Sequence, residues 1–128
     1  MGRINKAGVV RVLFGGSDGP TLTAMRKIDE SATGVPGSAE DHDLFGSVVA
    51  TAYVQGRSQA SLVVAGIKEK SGSISEAGRV VVFPPAATGP KNRGSLAFDL
   101  NTPGVRGRSA HGSRFGYALG GPNSYYYR

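Results

Sequence analysis

The sequence predicts a small, mostly β protein: an antiparallel sandwich or barrel-like sheet with extended, glycine-rich terminal arms. Three observations lead there. Glycine occurs 20 times and proline 7 times in 128 residues, and both interrupt helices. Apolar residues make up 39% and fall in short runs such as Val80-Val81-Val82-Phe83. Runs of that length suit strands and fall far short of the ~20 residues of a membrane-spanning helix. Residues 46–55 alternate with a period of two, with Val48, Ala50, Ala52 and Val54 on one parity, as in a strand with one buried face.

The elements follow in chain order. Val9–Phe14 reads as a strand and Gly15-Gly16-Ser17-Asp18-Gly19-Pro20 as a turn. Thr21–Ile28 is open between strand and short helix, since Pro20 can start a helix; a strand making a hairpin with Val9–Phe14 is favoured. Asp29–Asp43, with Gly34, Pro36, Gly37 and several acids, reads as a polar surface loop. The central hairpin joins residues 46–55 to 59–68. An odd-length loop centred on Arg57, with Gly56 at positive φ, would oppose Ala52 with Leu62 and Ala50 with Val64. All four would then be buried on one face.

Residues 68–78 read as a polar link with room for one helical turn at Ser75-Glu76. Arg79–Phe83 is apolar at consecutive positions, the pattern of a strand covered on both faces, and Pro84-Pro85 ends it. Leu96–Leu100 is a short strand. The β domain is expected over residues 1–100, followed by a basic Gly/Tyr-rich C-terminal arm over 101–128. No repeat of fixed period is evident.

Charge divides unevenly. Residues 1–64 carry six Lys/Arg against six Asp/Glu, and residues 65–128 carry nine against three, giving the net +6. A basic partner surface therefore belongs to the second half. Cysteine is absent, which excludes disulfides and cysteine–zinc sites. The basic start of the chain lacks the apolar stretch of a signal peptide, so the expected location is a virion if the protein is viral, and the cytoplasm otherwise.

No catalytic constellation emerges, and the chain is expected not to be an enzyme. Gly15-Gly16-Ser17-Asp18-Gly19 matches the G-x-S-x-G nucleophile elbow, which requires a parallel sheet built from βαβ units; a hairpin turn explains the same residues. Asp41-His42-Asp43 offers ligand atoms, but His42 and His111 are the only histidines and no ligand spacing links them. A solvated acidic loop accounts for them. No cofactor or metal is expected.

The arginine–aromatic tail is the suggestive feature. Tyr125, Tyr126, Tyr127, Phe115 and Tyr117 are the expected subunit or partner contacts, because Tyr and Arg anchor protein interfaces. Arg106, Arg108, Arg114, Lys91 and Arg93 are the expected basic contacts to a partner's acids or to phosphates. The opening hairpin resembles the first hairpin of some small RNA-phage coat proteins over a small part of the chain, and no residue role is carried over from it. The expected function is structural: a homo-oligomer or multi-subunit assembly, foremost a virus or phage particle component. A basic RNA- or DNA-binding protein is the alternative, with a linker between acidic proteins behind it. Neither a membrane nor a small-molecule substrate is expected.

Overall fold

The computed structural model describes residues 4–54 and 58–120. It is all β among those residues. Six strands run β1 (Val10–Gly16), β2 (Gly19–Ile28), β3 (Phe45–Ala52), β4 (Ser61–Gly66), β5 (Arg79–Phe83) and β6 (Leu96–Phe98). They form a two-stranded sheet, β1-β2, and a four-stranded meander, β3-β4-β5-β6, antiparallel throughout. Neither sheet closes on itself.

Thr21–Ile28 is a strand, and Ser17-Asp18 form the turn between β1 and β2. β5 lies inside the meander between β4 and β6, and its side chains alternate between two cores, as its unbroken apolar run requires. Val81 and Phe83 face the β1-β2 sheet in a core with Ile28, Val35, Phe45 and Val64. Val80 faces the other way, with Val63 and Ala65. Ser75-Glu76 makes no helical turn.

Three expectations are corrected. The central hairpin is shifted by one residue: Ala52 opposes Ser61, Thr51 opposes Leu62 and Ala50 opposes Val63. Its connection, residues 53–60, is therefore even in length; Gly56 lies outside the described residues. Parity failed because β4 is buried on both faces, with Val63, Val64 and Ala65 all covered, so apolar alternation does not choose a face for it. Val64 and Leu62 face the β1-β2 sheet, while Ala52 sits on the opposite side. Second, the Asp29–Asp43 connection is not simply solvated. Val35 joins the core, and Glu30 and Asp43 are buried. Third, residues 101–120 form a series of turns laid against the meander instead of extending as an arm. The Phe115 N–H donates to the Ala77 carbonyl at 2.8 Å, and Phe115 and Leu119 pack on Val80 and its neighbours.

The chain also contains a repeat after all. Residues 4–47 and 74–117 superpose in pattern with no gap, 70 positions apart. Ala7-Gly8, Val10, Val12, Gly34-Val35, Gly37 and Phe45-Gly46 recur as Ala77-Gly78, Val80, Val82, Gly104-Val105, Gly107 and Phe115-Gly116. Strand register recurs: Val10 opposes Ile28, and Val80 opposes Phe98. Left-handed backbone recurs at Lys6 and Glu76, and at Leu44 and Arg114. Loop hydrogen bonds recur as well. Leu44 N–H donates to the Lys6 carbonyl at 3.2 Å and Arg114 N–H to that of Glu76 at 3.0 Å. Ser31 and Asn101 N–H donate to the side chains of Asp29 and Asp99 at 3.0 and 2.8 Å. The period escaped the sequence reading because the shared residues are mostly glycines and small apolar side chains, spread over one long spacing.

The repeat makes β5-β6 the counterpart of β1-β2, and the Phe115 segment the counterpart of the start of β3. Each unit closes by laying the end of its long loop alongside the residues that lead into its first strand. Gly8 and Gly78 sit at positive φ, and a Cβ on either would meet the backbone of Phe45 or Phe115 within 2.8 Å. Only glycine allows that approach.

Candidate functional site

Four chain segments meet at one end of the sheets and bring charge into the interior. Glu30 follows β2, Asp43 precedes β3, Glu69 follows β4 and Arg79 opens β5. The three carboxyls are buried, and an oxygen from each lies within 4.8 Å of the others. The Arg79 guanidinium Nη1 stands 3.1 Å from Glu69 Oε1, and the Glu40 N–H donates to Asp43 Oδ2. Glu30 Oε2 and Glu69 Oε2 have no partner among the described residues.

One arginine cannot balance three carboxylates in a low-dielectric site. Burial, with the negative charge of Glu69 and Asp43 behind it, pushes the Glu30 carboxyl up. Burial raises Glu69 too, against the pull of Arg79. Burial also raises Asp43, against its hydrogen bond from Glu40. The cluster can therefore keep protons near neutral pH and share them between Glu30 and Glu69. Three hard oxygens at this spacing also suit a divalent cation, but Arg79 already occupies the cationic place beside Glu69. The arrangement is a polar bolt linking four segments. Sequence reading singled out Asp43 only as part of Asp41-His42-Asp43 and missed Glu30 and Glu69, since nothing in their spacing shows that they converge.

One Ser–His pair lies within hydrogen-bond distance. Ser75 Oγ lies 2.7 Å from His111 Nδ1. The corresponding pair in the first unit is Asn5, whose N–H donates to Asp41 Oδ1 at 2.7 Å. Both contacts latch the long loop to the segment before the first strand, and both are exposed. His42 is exposed at positive φ, although Asp43, next to it in the chain, is buried.

The expected contact residues that the structure describes fall on the β5-β6 connection and on the turns after β6. Phe115 packs edge-on to Phe98, ring centroids 5.9 Å apart, and Arg114 Nη2 reaches Glu76 at 3.5 Å. Both make contacts within the chain. Tyr117, Arg106, Arg108, Lys91 and Arg93 are exposed. Lys91 and Arg93 lie on the β5-β6 connection, and Arg106 and Arg108 on the connection leaving the opposite end of β6. No ion pair involves those four among the described residues. Tyr125, Tyr126 and Tyr127 lie outside the described residues. A shallow groove between the sheets, bordered by Val12, Thr51, Leu62 and Pro85, carries no titratable group.

Comparison with known protein families, curated proteins and solved structures finds no match to this chain. Among the described residues it is an all-β chain of two antiparallel sheets with a duplicated unit.

Proposed function

We propose that this chain is a structural component of a larger assembly and acts through contacts of its sheets, not through chemistry. The observation that carries the reading is the duplicated unit. Units of repeat folds cannot bury their apolar faces alone and do so by stacking on neighbours. A virus or phage particle, as coat, decoration or tail component, remains the particular assembly we propose, on the grounds of small size and β architecture. The exposed Lys91, Arg93, Arg106 and Arg108 favour a second reading, RNA or DNA binding through phosphate contacts.

Size-exclusion chromatography with light scattering, read at 260 and 280 nm in low and high salt, separates the two. Assembly through packed sheets predicts a multimer without nucleic acid that persists in high salt. A nucleic acid complex that dissociates steeply with salt favours the second reading. A monomer free of nucleic acid at every concentration removes the assembly reading.

A further inference from the structure

The β3–β6 meander has one face covered by β1-β2 and a second on which Phe115, Gly116 and Leu119 lie. Val48, Val63, Val80, Val82, Leu96 and Phe98 share that second face. No charged side chain interrupts it; Val63 and Val80 are buried within the chain, Val48, Val82 and Phe98 are half-buried, and Leu96 is 57% exposed. An apolar face four strands wide marks an interaction surface.

The repeat states what such a face receives. Val80, Val82 and Phe98 are the counterparts of Val10, Val12 and Ile28. Those first-unit residues are packed against Val64, Val81 and Phe83 of the next sheet. The fold thus already shows this pattern seated on a sheet whose outer hairpin presents the positions of Val81 and Phe83. The first-unit counterpart of Phe83 is Leu13, on the outer face of β1-β2, which is 41% exposed beside Val9 at 36% and Met25 at 48%. Among the described residues β1-β2 is a two-stranded sheet, whereas its counterpart β5-β6 has β3 and β4 beside it.

The chain therefore carries the two complementary surfaces of its own internal interface, one at each end. Resting on the assembly reading above, we infer that copies of this chain join head to tail: the outer face of β1-β2 of one copy seats on the open meander face of another, next to Phe115. Such a contact is heterologous, so it closes into a ring or runs on as a filament. Four-stranded antiparallel sheets stacked face to face around an axis are the plan of β-propellers. One feature opposes tight pairing. Arg11 and Lys27 take the places of Val81 and Ala97. Lys27 is neutralised by Asp29 at 3.0 Å, whereas Arg11 must carry its charge toward the rim.

The test uses one charged substitution on each surface, Leu13→Asp and Leu96→Asp, in the full chain. Both side chains are exposed, so both variants should keep the wild-type melting temperature when dilute. Each variant should self-associate more weakly than wild type, by about a hundredfold or more in Kd, because pairing would bury an unpaired carboxylate. A filament or ring cannot form from either alone. Mixing the two should restore a 1:1 heterodimer, since each retains the surface the other has lost. Arg11→Val should tighten wild-type association. Mixing that restores nothing, or single variants that multimerise like wild type, overturns the head-to-tail pairing and leaves the assembly reading in place. A wild-type chain that stays monomeric overturns both.

Discussion

Glu30 shows how burial turns an acidic residue into a proton holder. Its carboxyl is pushed up from the ordinary 4.5 to about 8 by burial and by Glu69 and Asp43. Between those values the folded state keeps a proton that the unfolded chain has released. Stability must then fall as pH rises from about 4.5 through about 8 and change little above it. Glu30→Gln keeps the shape and a donor while removing the charge. We expect Glu30→Gln to be more stable than wild type at pH 8, by on the order of 1–2 kcal/mol, with little difference at pH 5. Urea denaturation at both pH values measures this. A Glu30→Gln profile as steep as that of wild type would place the titrating group elsewhere.

At the scale of elements, the long loops are held by close backbone approach as well as by side-chain burial. A Cβ on Gly78 would lie 2.2 Å from the Phe115 nitrogen, at φ +85, while one on Gly72, at φ +60, meets nothing within 4 Å. Gly72→Ala should cost about 1 kcal/mol, the conformational price of an L residue at positive φ. Gly78→Ala adds a clash that moves the Phe115 segment away, and should cost on the order of 3–4 kcal/mol. Thermal melts rank the two, and faster amide exchange at Phe115 in Gly78→Ala would show the segment detaching. Equal costs would mean that the close approach contributes nothing beyond φ. This is also where sequence reading stopped short. The strands were legible because Val, Ile and Phe at period two or in short runs leave few alternatives. The loops were not, because glycine spacing announces a turn without saying which backbone lies against it.

For the whole molecule, cohesion rests on the core shared by the two sheets. Phe83 is fully buried and meets Phe45 edge to face, with centroids 6.4 Å apart, in the cluster that also holds Ile28 of β2. Phe83→Ala should cost about 3–5 kcal/mol. Because β1-β2 alone is too small to persist in water, its amides should lose exchange protection together with those of β4 and β5, in one cooperative unit. A hairpin that stays protected after the meander has opened would show that the sheets fold separately.

By itself, the sequence determined the strand content, the β1-β2 hairpin, the two-sided burial of β5 and the lack of a cysteine-based site. Each depends on local composition and periodicity, which neighbouring residues carry in full. The recurrence of one unit 70 positions later is also written in the sequence, in shared glycines and apolar residues; only the tertiary structure decided the register of β3 on β4 and the convergence of Glu30, Asp43 and Glu69 around Arg79. Register needed to know that both faces of β4 are covered. The acid cluster joins residues as far apart as Glu30 and Arg79. Such features arise from contacts across the fold, and one-dimensional pattern holds no record of which distant segments meet.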